Sequence, residues 1–272
     1  MMEHLFKAWP SCVAALRAAP HVLLLSDYDG TLTPIVGRPE DARLSPAVRE
    51  KLRILSQLGG VSLGVISGRS LAETRSMVGI DGIYYVGNHG LEIEGPGISF
   101  ISPPAELARV TMKELAAELA EALRGITGVI VQDKTLSLSV HYRLVRPDDE
   151  KTVAGIVKKI TGPAVREKKI KLFTGKKIWE IRPPVDWDKG KAVETIRRRV
   201  MSARHLDTVL TIYLGDDLTD EDAFRTLRSP EGWGIYIGGE KADSAAKYYL
   251  ESPGEVEELL TRMIEIFPVP AI

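Results

Sequence analysis

Two acidic residues one position apart, Asp27 and Asp29, follow an apolar run and precede a glycine in the segment HVLLLSDYDGTLTPI. Residues i and i+2 of an extended chain point to the same side, so both carboxylates would face one site. Asp27 has the chemistry of a carboxylate nucleophile that attacks phosphorus and forms an aspartyl-phosphate. Asp29, one step further out, could protonate the leaving alkoxide and then activate water. Gly30 would let the chain turn sharply there.

A second acidic pair, Asp216 and Asp217, also follows an apolar run. If Asp27 and Asp216 share a pocket, their carboxylates repel each other unless a cation lies between them. Hard oxygen ligands with room for water suit Mg²⁺, and a metal held by few carboxylates commonly meets a substrate phosphate. Lys189, in the segment DKGK at or near a helix start, could neutralise phosphoryl oxygens. These residue types predict a magnesium-dependent phosphoryl-transfer site.

Two other apolar runs also end in polar residues. Ser67 and Gly68 form a small hydroxyl-and-amide turn that could lead into a helix N-terminus, which is a natural anion site. Asn88 and His89 follow the next run and could contact a substrate or only order their loop. Ser67 alone could equally be a turn or cap residue. Two acidic clusters far apart in sequence are harder to explain in that way, because a cap needs one acid.

The elements that must position these residues alternate between strands and helices. Short apolar runs bounded by polar or glycine-containing turns are typical of strands buried on both faces of a parallel sheet. Helical patterns lie between them, including one with Ser45 as N-cap and Pro46 at its first position. We therefore expect an α/β fold with a doubly wound, Rossmann-like parallel sheet, whose strand ends bind ligands at one edge. The apolar runs cover 22–25, 61–66, 83–86, 209–214 and 234–238.

The middle of the chain has a different pattern. A long helix (105–124), two strands, a second helix (148–160) and two more strands follow one another. The segment TLSLSVHY alternates between apolar and polar residues, so one face should pack on helices and the other should be wet. We expect a smaller α+β domain at 103–182, inserted between core segments 1–102 and 183–272.

Composition excludes several classes of protein. The 272 residues include 36 basic and 37 acidic ones, and this balance gives no signal for nucleic acid or membrane binding. Cys12 is the single cysteine, so neither an intrachain disulfide nor a zinc cluster of cysteines is expected. No apolar run approaches the roughly 20 residues that span a bilayer, and the start, MMEHLFKAWP, carries charges where a signal peptide would be apolar. A cytoplasmic location is the default expectation.

Four segments, DYDGTLTPI, SGR, DKGKA and GDDLTDEDAF, occur in the order typical of the haloacid dehalogenase superfamily of Mg²⁺-dependent phosphatases. Within it, the chain resembles the trehalose-6-phosphate phosphatases through NHG, SVHYR, GKKIWEIRP and the long form GDDLTDEDAF. DxDGT marks only the superfamily, whereas GDDLTDEDAF with GKxxxEIRP is more specific. The resemblance covers nearly the whole chain. It implies hydrolysis of trehalose 6-phosphate, with the inserted segment as a cap that holds sugar hydroxyls and closes over the site.

The resemblance also implies roles for individual core residues. Asp27 would be the nucleophile and Asp29 the general acid/base. Asp27, the backbone carbonyl of Asp29, and Asp216 would bind Mg²⁺, while Asp217 and Asp220 would be further ligands or supports of the ligands. The residues that would bind the transferring phosphoryl group are Ser67 and Lys189.

For the sugar, Lys176 and Glu180 match the pattern GKxxxE and would hydrogen-bond glucose hydroxyls. The alternative is an ordinary solvated salt bridge between these two residues. The complete set of implied substrate-binding residues is Ser67, Gly68, Arg69, Asn88, His89, Lys134, Arg143, Lys176, Glu180 and Arg182.

Other residues of the inserted segment are ambiguous in the sequence. Lys134 and Arg143 resemble basic residues that reach the substrate, but strand-edge charges have the same appearance. Arg182 could bind the substrate or form an ion pair where the segment ends. Gln132 departs from the family, because an acid usually stands there, and a neutral amide gives up a charge-assisted hydrogen bond.

Three other functions compete with this interpretation. The nearest is a phosphatase for another sugar phosphate, such as sucrose 6-phosphate or glucosyl-3-phosphoglycerate, because those families share the core motifs. A phosphomutase shares the core and the cap type but needs a sugar bisphosphate activator. The third is a non-catalytic domain that regulates a synthase, and a trehalose-phosphate synthase is a possible partner in any case. Retention of all the core acids and of Lys189 argues against a decayed site.

Overall fold

The computed structural model describes residues 2–267, which form thirteen strands and nine α-helices. The strands are β1 (Glu3–His4), β2 (Val22–Asp27), β3 (Val61–Ile66), β4 (Tyr84–Gly87), β5 (Glu92–Gly95), β6 (Ile98–Ile101), β7 (Ile130–Asp133), β8 (Leu138–His141), β9 (Lys171–Gly175), β10 (Ile178–Arg182), β11 (Leu210–Gly215), β12 (Gly232–Ile237) and β13 (Tyr248–Leu250). The helices are α1 (Trp9–Ala18), α2 (Pro46–Ser56), α3 (Leu71–Val78), α4 (Pro103–Leu107), α5 (Arg109–Leu123), α6 (Glu150–Arg166), α7 (Lys189–Arg204), α8 (Glu221–Thr226) and α9 (Pro253–Ile266).

The described residues separate into two compact units. One contains the chain up to Phe100 together with the chain from Trp187, and the other is Ile101–Asp186. The predicted limits of an inserted domain, 103 and 182, stay a prediction, because a division into compact units does not test whether either part folds alone.

The first unit is built on a nine-stranded sheet. Its strand order is β1-β13-β12-β11-β2-β3-β4-β5-β6, and the strands from β1 to β4 are parallel. The central strands β2 and β11 are buried along their whole length, as their continuous apolar sequences predict. Because the strands are parallel, the carboxyl ends of β11, β2, β3 and β4 meet at one edge of the sheet. The predicted doubly wound α/β fold is confirmed.

Helices cover both faces of this sheet. Side chains from α1, α2 and α9 form one apolar cluster against it, and side chains from α7 and α8 belong to a second cluster. The predicted cap of α2 is present: the Ser45 side chain accepts the N–H of Val48, and Pro46 is the first helical residue. The capped helix places its apolar residues Val48, Leu52 and Leu55 in the first cluster.

The second unit has its own antiparallel sheet in the order β7-β8-β10-β9. Apolar residues of α5 and α6 pack with one face of it, including Leu138 and Val140 from β8. The expectation that the other face is wet is wrong for Ser137 and Ser139, which are both buried. Ser139 lies on a central strand in register with Gln132 and Glu180, and these longer side chains flank the small hydroxyl.

The predicted helices of this unit also differ in detail. The single long helix expected at 105–124 is divided at Ala108, which caps the end of α4 and the start of α5 with a ψ of −8°. The second helix was expected at 148–160, but α6 begins at Glu150 and continues through Pro163 to Arg166. The proline ring removes one N–H donor but does not end the helix, which is why α6 extends beyond the expected residue 160.

No helix among residues 2–267 combines the length and the apolar character needed to cross a membrane.

Candidate active site

Asp27 lies at the carboxyl end of β2, in the middle of the nine-stranded sheet, and is only 6% exposed. Lys189 is the first residue of α7, and its ammonium donates a 2.5 Å hydrogen bond to Asp27 Oδ1. Asp188 caps that helix by accepting the N–H of Lys191. The capped helix start therefore fixes the lysine against the carboxylate, as the segment DKGK predicts for a residue at a helix N-terminus.

Asp220 is the second partner of Lys189, with 2.6 Å between Nζ and Oδ1. The same oxygen accepts the hydroxyl of Tyr213 at 2.6 Å, and Oδ2 accepts the N–H groups of Asp216 and Asp217 at 3.0 and 2.9 Å. Both oxygens of this fully buried carboxylate are thus occupied by donors. This occupancy favours Asp220 as the support of Lys189 and of the turn after β11 over Asp220 as a metal ligand.

Asp216 closes the cluster from the end of β11. Gly30 has a φ of +91°, and a Cβ atom there would lie 2.3 Å from Asp216 Oδ2, so only glycine lets the two loops approach. Thr31 donates its hydroxyl to Asp216 Oδ1 at 3.2 Å. Carboxylate oxygens of Asp27, Asp216 and Asp220 come within 4.8 Å of one another. The two acidic clusters predicted from the sequence do meet.

The charges of this cluster are unbalanced. Burial, opposed by Lys189 and reinforced by Asp220 and Asp216, raises the pKa of Asp27 well above its ordinary range. Burial and then Asp220 raise the pKa of Asp216 to about 7. Burial alone would lower the pKa of Lys189, but Asp220 and Asp27 outweigh it and raise the pKa, so the ammonium stays charged. One ammonium does not neutralise three carboxylates, and oxygen donors arranged in this way fit a divalent hard cation such as Mg²⁺.

We expect the metal-free protein to become less stable as the pH rises toward neutrality. The pKa of Asp216 in the folded chain is about 7, above its ordinary value of 3.8, so folding favours the protonated carboxyl. This contribution is fully present below a pH of about 4 and is lost as the pH rises through about 7. Melting curves of chelator-treated protein across this range measure it. The Asp216→Asn variant should show a flatter pH dependence, and two superimposable profiles would contradict the assignment.

The Asp29 carboxylate is paired with Arg69. Its two oxygens accept hydrogen bonds from Arg69 Nε and from one terminal nitrogen, both at 2.7 Å. The Asp29 side chain is 41% exposed, whereas that of Arg69 is 8% exposed. Substrate contact was the role expected for Arg69, and that contact stays a prediction, but the structure places its guanidinium on Asp29.

Ser67 lies one residue beyond the end of β3, whose last residue, Ile66, is in register with Asp27. The turn that it begins does lead into a helix N-terminus, since α3 starts at Leu71 with Ser70 as its cap. Gly68 is a further position where side chains are excluded, because a Cβ atom would lie 2.5 Å from the ring of His89. Glycine at this position therefore lets the ring of His89 pack directly against the turn.

Asn88 and His89 form the neighbouring turn after β4. Asn88 is fully buried, donates its side-chain amide to Glu92, and donates its N–H to the carbonyl of Arg69 at 2.7 Å. Both residues have positive φ values, 49° and 57°. These contacts order the loop, which was one of the two alternatives for Asn88. A contact between either residue and a substrate stays a prediction.

In the second unit, Glu180 is the centre of a charged group. Lys134 Nζ lies 3.8 Å from Glu180 Oε1, and Arg182 forms an ion pair with the other oxygen. The Arg182 guanidinium also lies over the Phe173 ring, 4.8 Å from its centre. The Lys134 side chain is only 5% exposed, so it is not an ordinary strand-edge charge. These three charged residues are therefore held together on one face of the sheet.

The remaining predicted residues of this unit lie nearer its surface. Lys176 is in the exposed turn between β9 and β10, and its carbonyl accepts a hydrogen bond from Arg143 at 3.3 Å. Gln132, where the family pattern has an acid, lies 3.1 Å from His141 through Oε1 and Nε2. The structure thus links Arg143 to Lys176 through the backbone and links Gln132 to His141 through side chains.

Three side-chain contacts at the candidate site were not predicted from the sequence. They are the hydroxyl of Tyr213 on Asp220, the hydroxyl of Thr31 on Asp216, and the guanidinium of Arg69 on Asp29. Only the first has a usable signal: a tyrosine in the buried strand sequence TIYLGDD must find a partner for its hydroxyl, and the adjacent acids are the nearest acceptors.

Comparison with known proteins gives a consistent result. A family model described as Trehalose-phosphatase matches residues 25–253. The probable trehalose-phosphate phosphatase 4 of Oryza sativa subsp. japonica is 36% identical over 257 residues, which are 93% of this chain and 68% of that protein. The probable trehalose-phosphate phosphatase D of Arabidopsis thaliana is 34% identical over 265 residues, with 93% and 70% covered.

A solved structure supports the fold independently. The C-terminal domain of the C. albicans trehalose-6-phosphate phosphatase superposes with a TM-score of 0.80, covering 98% of this chain and 100% of that one. Its sequence identity of 24% supports the fold and no more. The family match, in contrast, includes the ends of β2, β3, β4 and β11 and the whole second unit. The chain belongs to the trehalose-phosphatase family, a family of phosphatases.

Proposed function

We propose that the chain hydrolyses trehalose 6-phosphate to trehalose and phosphate, with Mg²⁺ and through an aspartyl-phosphate on Asp27. The observation that carries the proposal is the contact of buried Lys189 with buried Asp27 at the carboxyl end of β2, beside half-buried Asp216 at the end of β11, in a chain of this family. An acidic group with one lysine would be costly in a protein that did not use it, since buried carboxylates repel each other.

In the first step an Asp27 oxygen attacks phosphorus, and the bond between phosphorus and the sugar oxygen breaks. Asp29 supplies the proton that the departing sugar oxygen takes up, so trehalose leaves as the neutral alcohol. In the second step Asp29 removes a proton from water as the water oxygen attacks phosphorus. The bond from phosphorus to Asp27 then breaks, which releases phosphate and restores the Asp27 carboxylate.

Lys189 and the turn at Ser67 would hold the phosphoryl oxygens during both steps. Lys189 already contacts Asp27 and stays charged, so it lies beside the reacting oxygen. Asp27, the Asp29 carbonyl and Asp216 are the groups that would hold Mg²⁺. When bound, the ion neutralises negative charge on the phosphoryl group.

For the sugar we propose the polar face of the second unit. Glu180, Lys134 and Arg182 form a charged group there that can accept and donate hydrogen bonds to hydroxyls. Lys176 and Arg143 would extend this surface. Several such contacts would together recognise the hydroxyls of a disaccharide. A synthase partner and a cytoplasmic location stay predictions.

Removal of divalent metal is expected to stop phosphate release. Without the ion, the carboxylates of Asp27 and Asp216 would repel the approaching phosphate dianion, so a loss of about 100-fold or more is expected. The measurement is phosphate release from trehalose 6-phosphate after treatment with a chelator, with and without added Mg²⁺. Full activity in the chelated protein would refute the metal requirement, and Ca²⁺ serves as a control for non-specific ionic effects.

A further inference from the structure

We propose that Arg69 is a positioning residue that holds the Asp29 carboxylate for proton transfer, and that it acts on the reaction through Asp29 without contacting the substrate. This inference rests on the acid/base role proposed above for Asp29. In this proposal Arg69 orients Asp29, whereas Ser67 and Lys189 bind the phosphoryl group.

Arg69 and Asp29 form a bidentate ion pair. Arg69 Nε lies 2.7 Å from Asp29 Oδ2, and a terminal nitrogen lies 2.7 Å from Asp29 Oδ1. Two parallel hydrogen bonds fix the plane and the direction of a carboxylate, which a single contact does not do. The same terminal nitrogen also donates to the carbonyl of Pro39 at 2.7 Å. The guanidinium therefore joins Asp29 to the loop before α2.

Arg69 is itself held firmly. Its N–H donates to the hydroxyl of Ser67 at 3.1 Å, and its carbonyl accepts the N–H of Asn88 at 2.7 Å. Its side chain is 8% exposed and its guanidinium faces the Tyr28 ring at 5.8 Å. Asp29, in contrast, is 41% exposed and accessible from solvent. A buried, fixed cation thus orients a carboxylate that a substrate can reach.

Direct binding of phosphate by Arg69 fits the geometry less well. Two of its nitrogens already donate to Asp29, so a phosphate would have to displace an ion pair whose arginine is buried. Such pairs are costly to break when one partner is buried. Lys189 and the Ser67 turn already supply donors at the end of β2 and β3.

The test is a double-mutant cycle with Asp29→Asn, Arg69→Met and the two combined, assayed by phosphate release from trehalose 6-phosphate with Mg²⁺. Arg69→Met should lower kcat by about 10- to 100-fold, since misplacing a proton donor loses part of its contribution. KM should change by less than about threefold, because no substrate contact is removed. The double variant should be no slower than Asp29→Asn alone.

A second substrate separates positioning from a general structural defect. 4-Nitrophenyl phosphate has an acidic leaving group that departs without a proton donor, so Arg69→Met should slow its hydrolysis much less. Arg69→Lys retains the charge but cannot form the bidentate pair with Asp29, so its kcat should fall between those of the wild type and Arg69→Met. Arg75→Met, which removes an exposed arginine from α3, the helix that follows Arg69, is the control and should leave both activities unchanged.

Several outcomes would overturn the inference. Losses that multiply in the double variant, or equal losses on both substrates with a raised KM, would assign Arg69 to the substrate. An unchanged or increased kcat in folded Arg69→Met and Arg69→Lys, verified by their melting temperatures, would also refute it. If Asp29→Asn itself retains full activity, the proposed acid/base role fails. If Asp29→Asn loses activity but the Arg69 variants do not, the acid/base role of Asp29 stands and only the positioning role of Arg69 fails.

Discussion

Replacing Asp27 with asparagine should reduce phosphate release from trehalose 6-phosphate by at least about 10⁴-fold, because no other group can form the covalent bond to phosphorus. The amide has nearly the same shape as the carboxyl, and Lys189 keeps its second partner, Asp220. Burial raises the pKa of Asp27, which means that a negative charge at this position is unfavourable in the folded protein. A neutral asparagine avoids that cost. We therefore expect it to fold, and to melt no lower than the wild type when metal is absent.

The measurement is single-turnover phosphate release by purified Asp27→Asn, with a melting curve on the same sample. Asp81→Asn is the matched control, since it removes a fully exposed aspartate of the same unit. Asp81→Asn should keep wild-type activity. Retained turnover in folded Asp27→Asn would eliminate the covalent mechanism, whereas loss of both activity and folding would require the comparison to be repeated with Asp27→Ser.

Replacing Lys189 with methionine should have two large effects. The free energy of unfolding should fall by about 3–5 kcal/mol in metal-free protein, because removing one member of a buried ion pair leaves the other charges without compensation. Lys189 is 3% exposed and is held between Asp27 and Asp220. Activity should fall as well, by about 100-fold or more, since the ammonium no longer neutralises the phosphoryl oxygens.

Urea denaturation in the presence of a chelator measures the first effect, and phosphate release with Mg²⁺ measures the second. Lys51→Met is the control, because Lys51 forms a 2.7 Å ion pair with Glu257 but is 22% exposed. An ion pair at that depth contributes about 1 kcal/mol or less. Equal destabilisation by the two substitutions would contradict the special role of the buried lysine.

Much of the core was predictable because its signals are local. A continuous apolar run ending in an acid gives a buried strand whose carboxyl end carries that acid, as at Asp27 and Asp216. Ser45 before Pro46 marks the start of α2, and Asp188 before Lys189 marks the start of α7. Parallel packing then brings these ends together without further information.

The remaining contacts depend on distances through space that no local pattern records. Arg69 and Asp29 are 40 positions apart, and Thr31 and Asp216 are 185 apart. The resemblance to the family assigned Arg69 to the substrate, and nothing in the sequence indicated its ion pair with Asp29. The burial of Ser139 has a similar origin, since it follows from the strand order β7-β8-β10 and not from the alternation within β8.

The central claim is that trehalose 6-phosphate is the substrate, and the direct measurement is phosphate release from it beside sucrose 6-phosphate, glucosyl-3-phosphoglycerate and glucose 6-phosphate, all with Mg²⁺. The account predicts a kcat/KM for trehalose 6-phosphate at least about tenfold above that for each of the others, because loss or rearrangement of one sugar leaves polar groups of the second unit unpaired. An equal or higher value for another sugar phosphate, or no release from trehalose 6-phosphate, would contradict it.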